Sequence, residues 1–179
     1  MGDGVMDFQQ YSITPILQII DKTFVNIFFN NEGMTMKISA HFKKKYPKLS
    51  KWIVTELPKV KNKPKVWKAF QKYSELTAAQ ALSAVGSGSF PILHASVMPG
   101  SNGRFAGSTF PKNIYLAEAI CRKFEKSDSK NAKMHILVES TILHEMVHWG
   151  DWKDGKDQPG EEGKQFEKAA YGKDIDRYW

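Results

Sequence analysis

Residues 144–155 read HEMVHWGDWKDG, and the first five of them have spacing that could do chemistry. On a helix turning about 100° per residue, His144 and His148 lie about 40° apart on one face, one turn above the other. That arrangement offers both imidazoles to a single metal ion, and zinc is the ion such a pair suits. Glu145 is rotated away from the pair, toward a water activated by that metal, so it is the candidate general base and proton shuttle. The surrounding MHILVESTILHEMVHW reads as a strongly apolar helix of about four turns. Two histidines and a glutamate with no shared task would be costly to bury there.

Two histidines need a third ligand, and three readings compete. Asp151 lies seven residues after His144 and shares its face if the helix continues, but Gly150 is expected to end the helix. Asp154 lies six after His148, the offset of metzincin-type motifs. Those motifs place a glycine three after the second histidine, where this chain has Asp151. The third reading is a glutamate of the next helix, EEGKQFEKAAYG, which is expected to end near Gly172. Glu167 is preferred, 19 residues after His148 and close to the spacing of thermolysin-like enzymes. Gly163, one turn earlier, would permit close approach to the histidine helix. Glu161 and Glu162 are alternatives at the helix start, where negative charge often compensates the helix dipole. Asp151 or Asp154, if not ligands, could orient a histidine through its other N–H. Tyr171, four after Glu167, is a candidate to hydrogen-bond an oxyanion, with core packing as its alternative role.

The remaining histidines and the cysteine carry less. His41 borders a lysine run and reads as surface. His135 opens the active helix nine residues before His144, so its direction differs. His94 lies in the strand-prone ILHASV, where a structural role is favoured. Cys121 is the only cysteine, so no internal disulfide forms, and AEAICRKFE places it on an apolar face. No GxSxG, CxxC or phosphate-cradling glycine loop competes with the HEMVH site.

The elements that must position this site give an α+β, zincin-like fold class. Residues 1–85 read as mostly helical. ITPILQIIDKTFVNIFF would be a buried helix or helix pair. PKLSKWIVTELPKV and KPKVWKAFQKYSEL place Trp52, Ile53, Leu57, Trp67 and Phe70 at helical spacing, with breaks at Pro58 and Pro64. LTAAQALSAV is another helix with Thr77 as N-cap, and GSGS at 86–89 ends that pattern. FPILHASVMPG, GRFAGSTF and NIYLAEAI then read as a small antiparallel sheet, its first two strands separated by the turn-forming PGSNG. The HExxH helix and the C-terminal ligand helix complete a core over 86–179. The 179 residues, 41% hydrophobic and 25% charged, suit one globular domain over 1–179.

Charge is unevenly spread. Residues 43–72 hold eleven lysines and one acid, Glu56, a local balance of +10 within a chain of net charge +7. The rest of the chain is therefore −3. A solvated helical surface is the plain explanation of Lys43–Lys72. Attraction to an anionic surface is the functional one, with nucleic acid disfavoured as the partner. No segment approaches the roughly 18 uninterrupted apolar residues of a membrane span. The N-terminal MGDGVMDFQQYS lacks the basic region of a signal peptide.

NIYLAEAICRKFE, LVESTILHEMVHWGDWKDG and EEGKQFEKAAYG together resemble the metallopeptidase toxin domains of bacterial polymorphic toxins and secretion-system effectors. The likeness is closest to the type called metallopeptidase toxin domain three and covers roughly 88–172, leaving the lysine-rich front half unmatched. It implies a zinc endopeptidase of gluzincin type, delivered as a secreted effector and neutralised in its producer by a cognate immunity protein. On that pattern His144, His148 and a glutamate of EEGKQFE bind Zn2+, Glu145 is the acid/base, and the substrate is a peptide or protein. Two rival readings remain. One is a module that binds an anionic surface with a structural or lost zinc site; the other is a zinc amidase acting on cell-wall peptide.

Overall fold

The computed structural model describes residues 37–155 and 161–179, all within a unit bounded by Met34 and Trp179. The helix expected over 13–29 lies outside the described residues, as does the side chain of Asp154. Prolines and capping residues cut the lysine-rich half into short helices. Helix α1 (Ala40–Lys45) starts at Ser39, whose hydroxyl accepts the Phe42 N–H. Pro47 opens α2 (Pro47–Glu56) and Pro64 opens α3 (Pro64–Ser74), positions where the missing proline N–H costs nothing. Pro58 converts the stretch between them into a 3-10 turn, Leu57–Asn62. Thr77 and Gln80 form a reciprocal capping box on α4 (Ala78–Leu82), which satisfies two otherwise orphaned N–H groups.

Three short strands follow: β1 (Ile92–Ser96), β2 (Gly103–Phe105) and β3 (Asn113–Ala117). The sheet is mixed, not the antiparallel one expected. β3 lies in the centre, parallel to β1 and antiparallel to β2. The physical reason is burial. Ile114, Leu116 and Ala117 of β3 are almost wholly enclosed, so that strand takes the doubly flanked position. The PGSNG segment then carries the chain past it instead of closing a hairpin. This leaves β2 with one edge unpaired within the sheet.

Helix α5 (Glu118–Lys123) leads to the long helix α6 (Ala132–Asp154), capped by Asn131, and α7 (Glu162–Tyr171) follows. Helix α6 runs straight through Gly150 and ends at Gly155, which adopts the left-handed φ of +73°. The expectation that Gly150 ends the helix therefore fails. Gly150 is needed for space: a Cβ there would lie 2.4 Å from the Ser74 carbonyl oxygen at the end of α3. No described helix is long and apolar enough to cross a membrane.

The front helices and the back half share one core. Phe42, Leu49, Ile53 and Phe70 are fully buried in the same cluster as Leu143, Val147 and Phe166. Helix α3 packs on both α6 and α7, with the Phe70 and Phe166 rings edge to face, centroids 6.3 Å apart. Burying each such aromatic is worth about 2–3 kcal/mol, so α3 fixes how α6 and α7 meet. Polar ties cross the same boundary. Lys63 reaches Glu139, buried on α6, at 2.6 Å. Glu118 accepts from Lys45, from Tyr46 at 2.8 Å and from Arg122. Two lysines of the run thus neutralise acids of the other half.

Those three donors, Lys45 first, hold the Glu118 carboxyl down at about 2. A depressed folded pKa stabilises the fold fully above the ordinary 4.5, and the gain disappears as pH falls toward about 2. Lys45 and Arg122 stand half in solvent, so Glu118→Gln should cost only about 1–2 kcal/mol at pH 7. Urea unfolding at several pH values checks this. The gap between wild type and variant should close progressively below pH 4.5.

Candidate metal centre

Helix α6 carries His144, Glu145 and His148 side by side, and the first residues of α7 meet them. Glu161 is the N-cap of α7, and its two oxygens do different things. Oε2 accepts the Lys164 N–H at 3.0 Å. Oε1 lies 2.7 Å from His148 Nε2 and 3.5 Å from His144 Nε2. The opposite ring nitrogens are held from behind. His144 Nδ1 lies 3.1 Å from Glu167 Oε1, and His148 Nδ1 lies 3.2 Å from Glu162 Oε2. An Nδ1–H donated to a carboxylate leaves the Nε2 lone pair facing the centre. Both supporting glutamates are buried, whereas the Glu161 side chain is 45% exposed.

The close approach of the two helices depends on Gly163. A Cβ there would lie 2.3 Å from His144 Nε2, so no larger residue fits without moving the ring. Gly103 plays the same part on the other side, where a Cβ would meet Glu145 Oε1 at 2.5 Å. The edge strand β2 therefore lies directly over the Glu145 carboxylate. Burial pushes the Glu145 carboxyl up to about 7, helped by the charges of Glu161 and Glu167 and opposed by His144 and a Phe105 backbone hydrogen bond. Burial alone would lower the His144 pKa, but the Glu167 hydrogen bond and the neighbouring carboxylates outweigh it and raise it.

Two cavities open on either side of this cluster, of about 770 Å³ and about 500 Å³. Gly103, His144, Glu145 and Glu161 line both of them, so the cluster sits where the two spaces meet. Phe105 and Trp152, ring centroids 6.1 Å apart, rim the larger one. Asp174, Ile175 and Asp176 wall the smaller one.

His144, Glu145, His148, Glu161, Glu162 and Glu167 are thus brought together. Glu167, expected as the third ligand, is placed against the Nδ1 of His144 and not on the Nε2 side. Asp151 is buried and lines the larger cavity. Tyr171 does not join the cluster: its hydroxyl donates to Glu139 at 3.2 Å and its ring packs on Phe166. Burial, with the Glu139 charge, pushes its pKa far up. His94 is on β1, at the far edge of the sheet. His135 contacts the Ser129 carbonyl and the Trp52 ring, His41 is exposed and Cys121 is fully buried.

GRFAGSTF reads as a strand from sequence and contains β2, whereas the segment after Gly172 carries no signal of its own. Ligand positions for Glu161 are best judged from its place at a helix start, where a cap leaves one carboxylate oxygen to point outward. His144, His148 and Glu161 each offer an atom within 4.8 Å of the others. Two imidazole nitrogens and one carboxylate oxygen form a donor set that zinc takes while keeping a position open. With both histidines fixed from behind, the residues present fit that ion.

The model of the metallopeptidase toxin 3 family matches residues 42–172. The match reaches further forward than the likeness seen from 88 onward and takes in the lysine-rich helices that share the core. No curated protein and no solved structure matches the chain.

Gly163→Ala should destabilise the fold by about 1–3 kcal/mol, the usual cost of overpacking, by driving the His144 ring off Glu161 and Glu167. Chemical denaturation of the variant measures the loss, and an unchanged unfolding midpoint would contradict the close packing described above.

Proposed function

The chain belongs to the metallopeptidase toxin 3 family, and from that premise we propose a zinc-dependent endopeptidase toxin in which Glu145 is the general base. The observation that carries this reading is the two-sided hold on the histidine pair, with Glu161 Oε1 on the Nε2 side and Glu167 and Glu162 behind. In it His144, His148 and Glu161 hold the zinc, a gluzincin-type set. Glu162 and Glu167 orient the two imidazoles. Tyr171, tied to Glu139, stabilises the fold instead of an oxyanion.

A substrate peptide lies extended across the two cavities and adds its backbone to the open edge of β2. Bound zinc would polarise the scissile carbonyl and draw the pKa of the attacking water toward about 7. Glu145 takes one proton from that water as its oxygen bonds to the carbonyl carbon. It then delivers the proton to the amine nitrogen as the C–N bond breaks. Burial raises the Glu145 carboxyl from its ordinary value, in the direction that suits a group that must both accept and return a proton. The apolar rim of Phe105 and Trp152 takes a substrate side chain in the larger cavity. Such an enzyme acts as a delivered effector, and a cognate immunity protein that covers this groove would keep its producer safe.

Glu145→Gln should reduce proteolysis and toxicity by at least about 10²–10⁴-fold, the usual contribution of a general base, while zinc stays near one per chain. Glu161→Ala should lose both zinc and activity. Elemental analysis beside a peptide-cleavage assay tests the pair. Full activity in Glu145→Gln, or wild-type zinc content in Glu161→Ala, overturns the assignment.

A further inference from the structure

The seven residues after Gly172 lie beyond the family match, yet Ile175 among them reaches the carboxylate behind His144. Gly172 ends α7 in the left-handed conformation, φ +85°, and the chain turns back over the helix. The Ile175 N–H then donates to Glu167 Oε2 at 2.7 Å. Since Glu167 Oε1 faces His144 Nδ1 at 3.1 Å, both oxygens of this buried carboxylate are engaged. One fixes a histidine and the other is fixed by the tail.

The tail is in turn fastened by Arg177. Its Nε donates to Asn102 Oδ1 at 3.0 Å, and its two terminal nitrogens reach the Ser101, Met98 and Pro99 carbonyls at 2.6, 3.2 and 3.4 Å. Asn102 closes the loop by donating from Nδ2 to the Ile175 carbonyl at 3.3 Å. Residues 98–102 are the segment that enters β2, and Gly103 at its end touches Glu145. A single guanidinium therefore joins the start of the edge strand to the residue that pins Glu167. Tyr178 anchors the remaining end on Asp128.

We infer that residues 173–178 form a positioning strap for the metal centre, with Arg177 as its clasp and the Ile175 N–H as the point of action. The strap acts through Glu167 to hold the His144 ring in the orientation that presents Nε2, and through Asn102 to set β2 above Glu145. This rests on the assignment of His144 as a zinc ligand. A planar five-donor fork is needed for these contacts, so lysine is no substitute at 177. An oriented histidine typically loses about 10–100-fold in metal affinity when its supporting contact is removed.

Apo protein titrated with zinc against a chromophoric chelator provides the test. Arg177→Ala, Arg177→Lys and Ile175→Pro should each weaken zinc binding about 10–100-fold while circular dichroism reports a folded chain. Their kcat should fall more than their KM changes. In the wild-type protein the Ile175 amide should exchange slowly with solvent, and more slowly still with zinc, because coupling runs both ways. Folded variants with wild-type zinc affinity overturn the strap. An Ile175 amide exchanging at the free-peptide rate overturns it too, even where the variants fail to fold. If the wild-type chain itself binds no zinc, the metallopeptidase assignment falls instead.

Discussion

Two imidazoles on one helix turn are gripped from both sides by carboxylates of a single seven-residue stretch, Glu161–Glu167. This grip constrains everything around it. It requires the start of α7 to lie almost against α6, which only glycine at 163 permits. It requires α7 to be held there by something other than the grip, since like-charged carboxylates repel. That holding comes from apolar packing: Phe166 and Ala170 are buried beneath the helix, with Phe70 of α3 against Phe166. The front helices are thus the scaffold that lets acidic groups crowd around two histidines.

The crowding has a direction. Glu145, Glu161, Glu162 and Glu167 surround a pair of groups that are neutral when they act as ligands, and three of the four are buried. Burial of uncompensated carboxylates is expensive, and Glu145 shows the expense as a carboxyl pushed up to about 7. A divalent cation at the centre would relieve that repulsion, whereas a purely structural cluster would be better built from amides. The electrostatics and the donor set therefore favour the same occupant.

Much of this was legible in the sequence, and the failures have physical causes. The HEMVH spacing defines the histidine face because helix periodicity is local. The proline breaks and the Thr77 cap are equally local, and the helices begin and end as those residues dictate. The sheet departs from the antiparallel expectation because strand order is set by which strand is most buried, a tertiary property. Gly150 departs from its expected role for the same reason: it admits the Ser74 backbone, which lies 76 residues earlier. The choice among glutamates of EEGKQFE depends on which carboxylate faces Nε2 and which faces Nδ1, a matter of ring orientation that spacing does not encode. Arg177 is invisible from sequence because its partners, three backbone carbonyls and the Asn102 side chain, lie 75 to 79 residues earlier.

The lysine run gains a meaning from the same electrostatic balance. A run of +10 over residues 43–72 against a remainder of −3 suggests a surface meant for something anionic. In the fold, Lys45 and Lys63 reach Glu118 and Glu139, while Lys48 donates to the Glu125 carbonyl. All of these acceptors lie in the back half, on the helices or turns that carry the sheet and the histidines. Cations from the front compensate the acids that lie away from the centre. Among the described residues lining the two cavities, Arg104 and Lys164 are the cationic side chains, against seven acids. The separation keeps the groove negative where a cation would bind and leaves charge-compensated acids elsewhere to support packing. Lys45, Lys48 and Lys63 thus act as a structural counterweight within the fold, while all eleven lysines of the run keep an exposed face.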